Sequence, residues 1–125
     1  MAVILVVEDS DSVTALEIAL ASCLEGMKTL VLPDGREALK LLDRDTLEIA
    51  AVITDIHLPF VDGFELISAI RSHPRYARLP VVAVSGDNAA ETSRRIERLG
   101  ADAFFAKPFS PIEVCKTVRK LLYAP

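Results

Sequence analysis

The sequence predicts an α/β domain with a doubly wound parallel sheet, on three observations. Five short apolar segments alternate with five stretches of helical periodicity, the pattern of a sheet covered on both faces. The first, third and fourth apolar segments are hydrophobic almost throughout, without the alternation expected of a half-exposed strand. The chain has 125 residues, 51% of them hydrophobic, which suits one compact domain over residues 1–125 and leaves no room for a second folded unit.

The first strand is AVILVV at 2–7. A helix follows whose stripe is Val13, Leu16, Leu20, Cys23 and Leu24; Ser10, Asp11 or Ser12 caps it, and Gly26 stops it. KTLVL at 28–32 is the second strand, and the turn Pro33-Asp34-Gly35 leads to a helix with Ala38, Leu39 and Leu42 inward. IAAVIT at 49–54 is the third strand. Its helix places Phe64, Ile67 and Ile70 on the core side and stops near Pro74. PVVAVS at 80–85 is the fourth strand. The helix after it, near 88–99, has only Ile96 and Leu99 as large apolar residues, with Arg94, Arg95, Glu97 and Arg98 around them, so loose packing is expected. ADAFFA at 101–106 is the fifth strand. The last helix opens with Ser110-Pro111-Ile112-Glu113, a capping box with proline at the first helical position, and carries Val114, Val118, Leu121 and Leu122.

Charge and hydropathy exclude several function classes. The formal charge of -4 and the lack of a Lys/Arg run argue against nucleic-acid contact. The longest apolar runs fall far short of the roughly 18 residues of a membrane span. Nothing resembles a signal peptide, and a cytoplasmic location is expected. Cys23 and Cys115 lie on apolar helix faces and read as small buried hydrophobes, not as a disulfide or metal pair.

In a doubly wound sheet, ligands bind beyond the carboxyl ends of the strands. Strand one ends in Glu8 and Asp9, strand three in Asp55, strand four in Ser85 and strand five in Lys107-Pro108. Three acids, a hydroxyl and an amine therefore converge at one edge. Carboxylates set side by side repel, and either protonation or a cation relieves them. Magnesium fits such a set, because it takes oxygen ligands and is commonly held by one or two carboxylates together with phosphate oxygens. Lys107 and Ser85 would then contact further phosphoryl oxygens. A carboxylate between a metal and an amine can itself act as the nucleophile. Taken singly, each of these residues has an ordinary reading: a strand-end aspartate starts many turns, and acids near a helix start favour its dipole. The dipole reading accounts for Asp11 but not for Asp55, which is followed by His-Leu-Pro.

These motifs resemble the receiver domain of two-component response regulators along the whole chain. The resemblance is carried by Glu8-Asp9 after VV, Asp55 in TDIHLPFVDGFEL, Ser85 in VVAVSG and Lys107-Pro108 in FFAKPF, with the separations typical of that family. It implies a flavodoxin-like (βα)5 fold with strand order 2-1-3-4-5. Asp55 becomes the residue phosphorylated by a histidine kinase or phosphotransfer protein. Magnesium would be held by Glu8, Asp9, Asp55 and the main-chain carbonyl of His57. Ser85 and Lys107 would hold the phosphoryl oxygens, and the bond to Pro108 is expected to be cis. Ser85 and the aromatic Phe104 would form the switch that alters the face made by helix four, strand five and helix five. The output would be a downstream protein or a fused effector domain, with dimerisation on phosphorylation as one route. The domain would not be an enzyme beyond its own phosphorylation and dephosphorylation.

Several positions depart from the family pattern. Glu8 stands where aspartate is common and reaches further, Leu58 replaces a frequent methionine, and Phe104 lacks a tyrosine hydroxyl. His57 and Asp87, each two residues past a motif residue, flank the phosphoryl approach and could tune the lifetime of the phosphorylated form, although His57 also reads as a solvated loop side chain. Phe105 competes with Phe104 for the switch role, and His73 reads as a helix-end residue. Three alternatives remain. Asp9-Ser10-Asp11-Ser12-Val13 resembles the nucleophile motif of haloacid-dehalogenase-like phosphatases, with Asp9 as nucleophile, but that reading lacks an acidic pair after Lys107 and leaves Asp55 unused. A flavodoxin-like cofactor binder would need a Gly/Ser/Thr-rich phosphate loop after strand one. A receiver-shaped interaction module that is never phosphorylated would leave the acid, hydroxyl and lysine set idle.

Overall fold

The computed structural model describes residues 2–8, 12–44 and 46–123. Five strands, β1 (Ala2–Val7), β2 (Lys28–Leu32), β3 (Glu48–Asp55), β4 (Val81–Ser85) and β5 (Ala103–Ala106), alternate with α1 (Ser12–Cys23), α2 (Gly35–Arg44), α3 (Gly63–Ser72), α4 (Ala90–Arg98) and α5 (Pro111–Tyr123). All pairings are parallel, in the order β2-β1-β3-β4-β5. Burial follows this order. β1 and β4 are buried nearly end to end, whereas β2 and β5 are only half-buried and form the edges.

Strand alternation sends each buried strand's side chains to two cores. Leu5, Val7, Val52, Val81 and Ala83 pack with α2, α3 and Ile96 of α4. Ile4, Val6, Ile53, Val82 and Val84 pack with α1 and α5. Each fully buried aliphatic side chain contributes about 1.5–3 kcal/mol of transfer free energy, so both layers are needed. Among the described residues no helix is long and apolar enough to cross a membrane.

Helix ends follow the sequence closely. Gly26 adopts φ +83°, past the end of α1. Asp34 accepts from the Glu37 amide at 2.9 Å and Asp62 from the Glu65 amide at 2.9 Å, capping α2 and α3. Ser110 Oγ accepts from the Glu113 amide at 3.3 Å. Ser10 and Asp11, two of the expected caps of α1, lie outside the described residues.

Three local expectations are corrected. The core side of α3 also includes the fully buried Leu66 beside Ile67 and Ile70; Phe64 packs against the same core but is only half-buried and stacks under Arg95, whose guanidinium carbon lies 3.8 Å from the ring centroid. β5 begins at Ala103, because Asp102 instead turns its carboxylate onto the Val81 amide (2.9 Å) and Arg71 (3.1 Å). Cys23 and Cys115 are joined as a disulfide. α1 and α5 lie side by side on one face of the sheet, which brings the two Cα atoms to 6.5 Å, within reach of a disulfide.

Candidate functional site

The parallel register sets the strand ends level. Val7 pairs with Thr54 and Asp55 with Val84, so Glu8, Asp55 and Ser85 emerge together. The Lys107 amide donates to the Ser85 carbonyl at 2.8 Å and adds the fifth strand's end to the group. The Lys107–Pro108 peptide is cis.

Lys107 Nζ lies 2.7 Å from Asp55 Oδ2 and 3.2 Å from Glu8 Oε1. The Glu8 and Asp55 side chains are almost wholly buried, at 2% and 6% exposure, whereas Lys107 retains 25%. Burial, reinforced by the Asp55 carboxyl beside it, raises the pKa of Glu8 against the opposing pull of Lys107. Burial alone would lower the Lys107 pKa, but its bonds to Asp55 and Glu8 outweigh it and raise the ammonium's pKa. Among the described residues, two buried carboxylates thus share the Lys107 ammonium.

That imbalance is the condition a divalent cation relieves. Among the described residues no group of three or more His, Cys, Asp or Glu side chains gathers as a metal site. Glu8 and Asp55 supply two carboxylates, and Asp9, the third expected acid, lies outside the described residues. Oxygen donors and a deficit of positive charge suit a hard cation such as magnesium.

The β3–α3 connection shapes the other side of Asp55. The His57 amide donates to Asp55 Oδ1 at 3.2 Å, and His57 itself is exposed. Thr54 Oγ1 donates to the Asp55 carbonyl at 2.8 Å. The Gly63 amide donates to the Ile56 carbonyl at 2.8 Å and closes the loop. Sequence reasoning missed the roles of Thr54 and Gly63. A polar residue ending an apolar strand signals the first, and a glycine just after the Asp62 cap signals the second.

Ser85 is fully buried. Its Oγ accepts from the Asp87 amide at 3.0 Å, and the Asp87 carboxylate accepts from the Ala89 amide (3.0 Å) and the Thr92 hydroxyl (2.8 Å). Asp87 therefore ties Ser85 to the first turn of α4, whose N-cap residue, Ala89, offers no side-chain cap. The Ala89 amide and then the Thr92 hydroxyl lower the pKa of Asp87, with His57 adding a smaller pull. A depressed folded pKa gives stability above the unfolded value that is lost as pH falls through the folded one. Asp87→Ala is expected to speed amide exchange several-fold in the first turn of α4 and leave α5 unchanged, as hydrogen-exchange mass spectrometry can test.

Phe104 and Phe105 point into different layers. Phe104 packs against the core under α2, α3 and α4, and Phe105 against the one under α1 and α5. Phe104 also lines a groove of about 410 Å³ with Ser93, Ile96 and Glu97.

The model of the response regulator receiver domain matches residues 4–119. The chain belongs to the receiver domain family. An uncharacterized 14.6 kDa protein of Leptolyngbya boryana is 31% identical over 99% of this chain and 92% of its own length. A gliding motility regulatory protein of Myxococcus xanthus is 35% identical over 89% of this receiver domain but only 14% of that protein. Among solved structures, the receiver domain of a Pseudomonas aeruginosa sensor histidine kinase superposes with a TM-score of 0.81 at 26% identity, covering 96% of each chain; it carries a magnesium ion coordinated in the active site cleft. The receiver fold and the doubly wound 2-1-3-4-5 sheet expected from the motifs are thereby shown, and the family is a signalling class of two-component systems.

Proposed function

We propose that this receiver domain accepts a phosphoryl group on Asp55 from the phosphohistidine of a histidine kinase or phosphotransfer protein. The observation that carries the reading is the Lys107 ammonium at 2.7 Å from Asp55 Oδ2 and 3.2 Å from Glu8, an amine poised where phosphoryl oxygens would arrive. An Asp55 carboxylate oxygen attacks phosphorus, the P–N bond breaks, and the imidazole leaves and takes up a proton. Lys107 shifts from the carboxylates to a phosphoryl oxygen, and the Ser85 hydroxyl donates to another. The His57 amide, already on Asp55 Oδ1, keeps the carboxylate oriented during the attack. Glu8, Asp9, Asp55 and the His57 carbonyl would hold magnesium, which when bound offsets the charge on the phosphoryl oxygens.

Movement of Ser85 toward the phosphoryl group breaks its bond to the Asp87 amide and frees the space into which Phe104 turns. Because the same Asp87 holds the start of α4, the change reaches the face of α4, β5 and α5, where a downstream protein, a fused effector domain or a second copy binds. His57 and Asp87 stand beside the path of the water that hydrolyses the acyl phosphate, and so set its lifetime. The single domain 1–125 acts as a signalling element whose only chemistry is its own phosphorylation and hydrolysis, without nucleic acid or membrane as partner.

The intact mass after incubation with magnesium and acetyl phosphate tests this. One added phosphoryl group is expected, requiring the metal, absent in Asp55→Asn and strongly reduced in Asp9→Asn. A gain that survives Asp55→Asn but not Asp9→Asn would overturn the proposal in favour of phosphatase-like chemistry. No gain together with no magnesium binding would leave an unphosphorylated interaction module.

A further inference from the structure

We infer that Cys23 and Cys115 form a reversible redox site in which a thiol reductant opens, and an oxidant closes, a covalent tie between α1 and α5. The two residues are the chain's only cysteines, stand 92 residues apart and are paired across neighbouring helices. Their surroundings differ. Cys115 is fully buried among Val114, Val118 and the aliphatic residues of α1. Cys23 is partly exposed at the last turn of α1 and lines a groove of about 490 Å³ with Ser22, Glu25, Arg119 and Tyr123. Access is therefore one-sided, and only the Cys23 sulfur offers a trajectory to an incoming thiolate.

The step balances as ordinary thiol–disulfide exchange. A dithiol reductant's thiolate attacks Cys23 Sγ, the bond to Cys115 breaks, and Cys115 leaves as a thiolate that takes up a proton. The reductant's second thiol then attacks its own sulfur in the mixed disulfide, releasing Cys23 as a thiol and leaving the reductant as a disulfide. Two electrons and two protons pass to the protein. In the reverse direction Cys23 is the entry point for an oxidised thiol such as glutathione disulfide. Where a cell keeps its thiol pool reduced, the pair rests as two thiols and closes under oxidant, the usual behaviour of such pairs in that setting.

Closing the bond fixes α5 against α1 and constrains the unfolded chain over a long loop. The oxidised form is expected to melt roughly 10 °C above the reduced one. Both cysteines belong to the layer of α1 and α5, whereas Asp55, Ser85 and Lys107 stand at the strand ends, so the redox step is expected to proceed independently of Asp55.

The test equilibrates the intact chain across ratios of reduced to oxidised glutathione, then blocks free thiols with maleimide under denaturing conditions and weighs the products. The expected result is a single transition in which both cysteines change from unlabelled to labelled together, with the rise in melting temperature tracking it. Cys23→Ser and Cys115→Ala should each abolish both the transition and the thermal shift. Two labelled thiols at the oxidising extreme would overturn the proposal, and so would a lasting glutathione adduct on Cys23 in the wild-type chain. Because the wild-type labelling pattern is read directly, poor folding of either variant does not decide the outcome.

Discussion

Lys107→Met is expected to lower stability by about 2–3 kcal/mol in the absence of divalent cations, and magnesium is expected to restore most of that loss. The variant keeps the apolar stem and removes only the ammonium, leaving Glu8 and Asp55 as neighbouring carboxylates at 2% and 6% exposure. Breaking a buried pair by deleting one partner costs around 3–5 kcal/mol, because an uncompensated charge stays behind. Here the cost is discounted, since Lys107 keeps 25% of its side chain in water and one carboxyl can protonate. The sign of the metal response separates this account from simple loss of packing. Without the ammonium to repel it, a divalent cation binds the two acids more tightly and raises the melting temperature by more than in the wild type. Thermal unfolding with and without magnesium checks this; an equal or smaller metal-induced shift in Lys107→Met would contradict it.

The strands were legible as short apolar runs between helical patterns, whereas their 2-1-3-4-5 order was implied by the family resemblance of the strand-end motifs. β1 and β4 lack alternation because both their faces are covered, whereas β2 and β5 are only half-buried at the edges, although β5 is wholly apolar in sequence. The acids, hydroxyl and amine were legible for a topological reason: any residue ending a parallel strand emerges at the same side, so a list of strand ends was already a list of neighbours. What escaped the sequence depends on distances that no local pattern carries. The disulfide needs α1 and α5 to lie side by side, which periodicity does not state. Asp102 looks like part of a strand, yet its carboxylate bonds the Val81 amide and Arg71, whose guanidinium also reaches the carbonyls of Leu79 (2.6 Å) and Gly100 (2.9 Å). That clamp joins α3 to the residues before β4 and to the loop after α4, so the C-terminal end of α4, a helix almost bare of apolar residues, is held partly by polar contacts. Asp87 does the same at the N-terminal side. Its place two residues past Ser85 suggested tuning of the phosphoryl site, and the structure adds a tie to the first turn of α4 through the Ala89 amide and the Thr92 hydroxyl.

Gly63→Ala is expected to destabilise the domain by about 3 kcal/mol, equivalent to roughly 10 °C in melting temperature, although alanine is the better helix former. Gly63 is the first residue of α3 and is buried; its φ is not in the left-handed region, so the demand is for space. A methyl group there would meet the Asp55 carbonyl oxygen, the Ile56 Cα at 2.6 Å and the Ile56 Cδ1 at 2.9 Å. Two of these are main chain of the sheet's central strand and the residue after it, which cannot rotate aside as a flexible side-chain tip could. Relief requires α3 to withdraw, which stretches the 2.8 Å bond from the Gly63 amide to the Ile56 carbonyl and moves the loop that delivers the His57 amide to Asp55. The stability loss should therefore come with slower phosphoryl uptake by the folded fraction. Gly86→Ala is the matched control, since a methyl there meets nothing within 4 Å, and its change should stay within about 0.5 kcal/mol. Denaturant melts of the two variants decide the matter: similar midpoints would mean that α3 can shift without cost and that the close approach at Gly63 does not hold the phosphoryl loop in place.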